Sequence, residues 1–149
     1  MASKNLKYMQ KTFVGKHSEL TGKIIKVFYE VYNNLGYGFL EKIYEKVMFI
    51  ELSKLGFKCQ AQKPIKVFYD GAIIGDYFAD LVVDDLILIE LKTADKMSNE
   101  HIAQLLNYLK ATRYEVGLLF NFGPDPELDR EVFDNERKGS LSWIANHSK

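Results

Sequence analysis

At Pro64 the hydrophobic period of this 149-residue chain changes, and the change dictates its fold class. Upstream, Ile24, Phe28, Val31 and Leu35 recur at spacings of four, three and four. That is the stripe of an amphipathic helix, expected from an N-cap at Ser18 to about Asn34. Gly36-Tyr37-Gly38 breaks it. A second helix is expected from about Leu40 to Leu55, with Leu40, Ile43, Val47 and Ile50 inward and Gly56 as a left-handed cap. Downstream of Pro64, Ile65, Val67 and Tyr69 alternate with Lys66 and Phe68, and Asp70-Gly71 is a dipeptide preferred in tight hairpins. Further strands are expected at about Ala72–Val83 and Leu86–Lys92. A Ser98-capped helix should follow over Glu100–Arg113, and a buried strand over Val116–Phe122. Glu131-Val132-Phe133 can add an edge strand. The order ααβββαβ predicts one mixed α/β domain over residues 1–149, with a core at about 18–123 and an acidic C-terminal extension at 124–149.

A chain of this length can bury a single sizeable core. Its 20 Lys+Arg balance 20 Asp+Glu, which excludes a domain that is basic overall, the simplest nucleic-acid signature. The zero conceals a split. Residues 1–75 hold 12 Lys+Arg against 6 Asp+Glu, and residues 76–149 hold 8 against 14. Cys59 is the only cysteine, so neither an intrachain disulfide nor a four-cysteine zinc site can form. No apolar run approaches the ~18 residues of a membrane span, and the lysine-bearing N-terminus lacks the apolar stretch of a signal peptide. These features predict a cytoplasmic protein without membrane association.

Three charged residues interrupt the apolar strands: Asp80, Glu90 and Lys92. Glu90 and Lys92 are two apart and share a strand face. Asp80 joins them only in one register. A two-residue turn would set Asp80 opposite Ile89, whereas a three-residue loop, Asp84-Asp85-Leu86, sets it opposite Glu90. The second register leaves Ala79, Leu81, Val83, Ile87, Ile89 and Leu91 on one wholly apolar face, and is therefore expected. Two carboxylates and a lysine are costly to bury without a partner. A divalent cation such as magnesium would supply one, and the lysine could then orient or help deprotonate a water. A structural Glu–Lys pair beside a solvated Asp80 explains the same spacing.

Asp80, then Glu90-Leu91-Lys92, then Gln104-x-x-x-Tyr108 on the next helix resemble the PD-(D/E)XK nuclease superfamily. Gly38-Phe39-Leu40-Glu41-Lys42-Ile43-Tyr44 resembles the motif of its GxxExxY branch, and the match runs from about Leu20 to Gly123. The resemblance implies a restriction-endonuclease-like core, a central mixed sheet flanked by helices, and a metal-dependent nuclease. By position, Asp80 and Glu90 would be metal ligands, with Glu41 the helix-borne acid that reaches them. Lys92 would handle the attacking water, and Gln104, Tyr108 and Tyr44 would support the site. The chain departs from the superfamily at Ala79, where proline is usual, and from the branch at Tyr32, where histidine is usual.

Each helical residue also has a plain reading. Glu41 and Tyr44 share a face, and a solvated helix surface accounts for Glu41. A partly buried Tyr108 bonded to Gln104 needs no chemistry. His17, His101 and His147 are too scattered to form a rival centre, and Cys59 reads as an inert thiol. The function expected is a Mg2+- or Mn2+-dependent phosphodiesterase acting on DNA or RNA. Tyr37 and Phe39, beside Glu41, could stack on bases. The alternative is a catalytically silent nuclease fold that binds protein or nucleic acid and could form a homodimer.

Overall fold

The computed structural model describes residues 15–144, so the N-terminal lysine-bearing stretch before Gly15 and His147 lie outside the described residues. Helices α1 (Ser18–Leu35) and α2 (Glu41–Lys54) come first, then strands β1 (Cys59–Tyr69), β2 (Ala72–Val83) and β3 (Ile87–Lys92). Helix α3 (Asn99–Ala111) leads into β4 (Val116–Phe122) and β5 (Pro126–Val132), followed by short 3-10 turns at Asn135–Arg137 and Gly139–Leu141. The five strands form one sheet in the order β1-β2-β3-β4-β5. Only β3 and β4 run parallel, joined by the α3 crossover, and every other neighbour is antiparallel. The protein thus has the mixed α/β architecture of a restriction-endonuclease-like fold. Among the described residues no helix is long and apolar enough to cross a membrane.

The two sheet faces carry separate cores. Helices α1 and α2 cover one, where Phe28 stacks on Phe120 at 4.4 Å between ring centroids and Tyr44 stacks on Phe122 at 4.1 Å. Helix α3 covers the other, placing Leu109 with Ile65, Tyr77, Ala79, Val82 and Leu88. The expected α1 stripe is present: Ile24, Phe28 and Val31 are buried, and Leu35 packs against them. The end of α2 also follows the sequence. Gly56 has φ 91°, its N–H donates to the Ser53 carbonyl, and Phe57 N–H donates to the Leu52 carbonyl, the bonding of a Schellman cap.

Five expectations need correction. The N-cap of α1 is His17, in a left-handed conformation without a side-chain cap, and Ser18 is already helical. The buried face of α2 is Tyr44, Glu45, Met48 and Leu52, whereas Leu40, Ile43 and Ile50 are exposed. Apolar residues occur all round this helix, so spacing could not select a face; contact with α1 and the sheet does. Strand β1 begins at Cys59, because Cys59, Gln60 and Ala61 pair with Val83, Val82 and Leu81. Pro64 is tolerated within it because β1 is an edge strand. Ala79 packs on the α3 face while Leu81 packs on the other. The alternation breaks around Asp80, opposite Gln62 with its left-handed φ of 50°. Finally, the acidic segment after Gly123 supplies β5, paired along β4 from Phe122↔Pro126 to Val116↔Val132. The observed order is therefore ααβββαββ, and the sheet extends past Gly123.

Candidate active site

The β2–β3 connection sets the site. Leu86 N–H donates to the Val83 carbonyl at 2.9 Å, and Asp84 and Asp85 have φ of 52° and 54°. Aspartate is among the residues that tolerate this left-handed turn. Its ends are anchored elsewhere. The Asp84 carboxylate accepts from Lys58 N–H at 2.9 Å, and Asp85 accepts from Lys63 Nζ at 2.7 Å and the Tyr114 hydroxyl at 2.5 Å. Val83 pairs with Ile87, Val82 with Leu88 and Leu81 with Ile89, so the loop is Asp84-Asp85-Leu86. This is the three-residue register expected from the sequence; the ladder ends at Leu81↔Ile89, and beyond it Asp80 meets β3 through hydrogen bonds of Asp80 N–H to Glu90 Oε2 and of Leu91 N–H to Asp80 Oδ2.

Both carboxylates are held by defined donors. Asp80 Oδ2 accepts from Leu91 N–H at 2.8 Å, and Oδ1 accepts from the Gln62 amide at 3.1 Å. The same Gln62 amide donates to Glu45 Oε1 at 2.7 Å, linking buried Glu45 on α2 to Asp80 on β2. Glu90 Oε2 accepts from the Tyr77 hydroxyl and from Asp80 N–H, the latter at 3.4 Å. Burial, and then the charge of Asp80, push the Glu90 carboxyl up from 4.5 to about 8, while Tyr77 and Lys92 act the other way. Burial and the Glu90 charge likewise push the Tyr77 phenol up.

Glu41, the first residue of α2, reaches the same electrostatic neighbourhood. Partial burial raises its carboxyl first, Asp80 and Glu45 raise it further, and Lys92 lowers it. Asp80 and Lys92 thus act on both Glu41 and Glu90, although these residues come from α2, β2 and β3. Gln104 and Tyr108 join through an intermediary. The Tyr108 ring stacks on Tyr77 with centroids 3.5 Å apart, and the Gln104 amide donates to the Tyr108 hydroxyl at 3.1 Å. Tyr44 stands apart from the carboxylates. It is buried, and its hydroxyl donates to the Gly36 carbonyl at 2.6 Å.

Gln62, Glu45 and Tyr77 are the neighbours that the sequence reading missed. Glu45 stands one turn after Glu41, and that spacing was a usable signal. Gln62 and Tyr77 left none, because their places depend on a strand irregularity and on α3. His101 is a cap: its Nδ1 accepts from Ser98 N–H at 3.1 Å, and Ser98 Oγ accepts from His101 N–H at 3.1 Å. Tyr32, at the departure from the branch pattern, donates between the Gly123 and Pro124 carbonyls. Burial, and then the Asp84 charge, push the Cys59 thiol up to about 11, so it is an inert thiol at neutral pH.

The donor set fits a hard divalent cation. It offers oxygen only, and four carboxyl groups stand near a single lysine. Among the described residues no three His, Cys, Asp or Glu side chains are placed to hold an ion by themselves. Glu41 therefore does not close a three-carboxylate cage, and any remaining ligands would be water or substrate oxygen.

The chain is similar in structure to SSO0001 at 18% identity and a TM-score of 0.45, covering 84% of this chain and 63% of that one. It therefore spans less than two thirds of that neighbour. It is also similar to an alkaline exonuclease (LHK-Exo) from Laribacter hongkongensis at 12% identity and a TM-score of 0.49, covering 95% of this chain and 87% of that one. No curated protein matches it in sequence. The model of the PD-(D/E)XK nuclease superfamily matches residues 18–132, which include every charged residue of the site. The chain belongs to the PD-(D/E)XK nuclease superfamily.

Proposed function

We propose that this protein is a metal-dependent phosphodiesterase that hydrolyses DNA or RNA, and that Gly38, Glu41 and Tyr44 mark it as a GxxExxY-branch member. Nucleases of this superfamily generally use divalent metal ions. Here Asp80 and Glu90 would hold Mg2+ or Mn2+, which when bound stabilises negative charge on a phosphoryl oxygen. Lys92 shares the Glu90 strand face and would donate to and orient the attacking water. Glu41, the first residue of α2, adds a carboxylate that would attract the ion and position water. Gln62 fixes Asp80, and Tyr77 fixes Glu90. Gln104 and Tyr108 act through Tyr77 as positioning residues. The observation that supports the reading is the proximity of Asp80 and Glu90 beyond the end of the β2–β3 ladder, where Asp80 N–H donates to Glu90 Oε2 and each carboxylate is held by further donors.

The test is cleavage of single- and double-stranded DNA and RNA with Mg2+ or Mn2+, beside Lys92→Ala. Cleavage by the wild type and its loss in the variant support the reading, whereas equal activity in both overturns it. Calorimetry with Mn2+ separates the alternative. A protein that binds no ion, and for which Asp80→Ala changes neither stability nor ion binding, is a nuclease-fold scaffold.

A further inference from the structure

The link between α1 and α2 holds two aromatic rings open to water on a tethered backbone. Gly36 and Gly38 have φ of 68° and 111°, the region that side chains rarely adopt. The Tyr44 hydroxyl donates to the Gly36 carbonyl and accepts from Phe39 N–H at 3.3 Å, so one buried phenol ties both ends of the link. Tyr44 is itself seated on Phe122. Nevertheless Tyr37 is 62% exposed, Phe39 47% and Leu40 77%. The Phe39 ring meets Tyr44 edge-on, 83° between planes, and still keeps nearly half its surface open. Glu41 follows two residues after Phe39, a backbone reach of at most about 7 Å.

We propose that Tyr37 and Phe39 form a stacking platform for an unpaired nucleobase beside the phosphodiester handled at Asp80 and Glu90; this rests on the nuclease reading above. The site itself is rich in carboxylates, and the chain has no net charge, so attraction of the phosphate backbone is weak. Uncharged rings supply affinity that does not depend on a basic patch. A base within a duplex has both faces covered by its neighbours, and only an unpaired one offers a face to a ring. The GxxExxY motif then reads as one device: Gly38 permits the bend, Tyr44 ties the link, and Glu41 enters the site next to the rings.

The experiment measures binding of a single-stranded oligonucleotide carrying one 2-aminopurine, and of the same sequence as a duplex. It uses the full chain with Mn2+ in a Lys92→Ala background that leaves the strand intact, read by anisotropy and 2-aminopurine fluorescence. Tyr37→Ala and Phe39→Ala should each weaken single-strand binding at least about fivefold, relieve the fluorescence quenching and leave duplex binding unchanged. Tyr37→Phe should restore both readouts. Phe39 touches Tyr44, so Tyr37→Ala, whose ring is freer, guards against a folding defect. Single-strand binding indifferent to these variants overturns the platform alone. So does a wild-type dimer that the variants dissociate without changing oligonucleotide affinity, because a second copy then covers the rings. Absence of binding to any oligonucleotide overturns the nuclease reading as well.

Discussion

Tyr77 on β2 donates its phenolic proton to Glu90 Oε2 on β3, while its ring lies flat against Tyr108 of α3. The position of α3 is thereby transmitted to a carboxylate on the sheet. Helix α3 carries no charged residue of the site, yet it determines where one of the two opposed carboxylates points. A rigid support of this kind is what a preorganised centre requires.

Tyr77→Phe should retain the stack and lose the donor. The Glu90 carboxylate then titrates higher than about 8, because the hydrogen bond that favours its charged form is gone. We expect a stability loss of about 1 kcal/mol and weaker Mn2+ binding at a fixed pH near 7. Calorimetric titration with Mn2+ across pH checks both the size and the direction. Unchanged ion affinity would show that Tyr77 only packs.

Glu90 also gives stability a pH dependence. Its carboxyl is held above 4.5, at about 8, so the folded state keeps the proton where the unfolded chain has released it. The stability it contributes is complete below about 4.5 and is lost as pH rises to 8. In metal-free buffer Glu90→Gln should therefore melt several degrees above the wild type at pH 8.5, with the gap closing toward pH 4. Glu131, pushed up to about 7 by burial and then by Asp129, adds a parallel loss that this variant leaves in place. Thermal unfolding monitored by circular dichroism across that range decides it.

Gln62 joins buried Glu45 to half-buried Asp80 through a single amide. Gln62→Ala should cost about 1–3 kcal/mol, since Glu45 loses its donor while buried. Gln62→Gly loses the same amide but suits the left-handed backbone, so it should be the milder change. Adding Glu45→Gln to Gln62→Ala should recover part of the loss. Denaturant unfolding of the three variants forms the comparison.

Lys138 is buried and donates from Nζ to the Thr112 and Tyr114 carbonyls at 2.7 Å each, closing the C-terminal segment onto the end of α3. Burial lowers its ammonium from 10.5 to about 8. The unfolded chain therefore holds a proton that the folded one has released, and stability should rise between pH 8 and 10.5. Lys138→Ala should remove that contribution, so that the wild type gains on the variant between pH 7.5 and 9.5, and should cost about 1–3 kcal/mol because two carbonyls lose their donor. Melting curves at pH 7.5 and 9.5 test both statements.

The elements that a local pattern specifies were legible. The α1 stripe, the Asp70-Gly71 hairpin, the Gly56 cap, the Ser98 cap and the Val116–Phe122 strand all depend on residues within a few positions of one another. The β2–β3 register from Leu81↔Ile89 to Val83↔Ile87 was legible too, because a one-residue slip would have turned the apolar set to the other face, although Ala79 lies across the break at Asp80. Where the local pattern was degenerate, it misled. Helix α2 carries apolar residues on every side among its charged ones, so spacing offered no preferred face, and packing on Phe122 chose Tyr44 over Ile43.

The sequence by itself determined the mixed α/β class and the β2–β3 register that brings Asp80 near Glu90, since period and composition act over short separations. Only the tertiary structure decided what surrounds them. Glu41 and Glu45 arrive from a helix packed against the sheet, Gln62 from an irregular edge strand, and the Tyr77–Tyr108 stack from α3. Burial in that surrounding, and then the charge of Asp80, make Glu90 hold its proton toward neutral pH against the opposing Tyr77 hydrogen bond, because desolvation and charge depend on distance in space rather than along the chain.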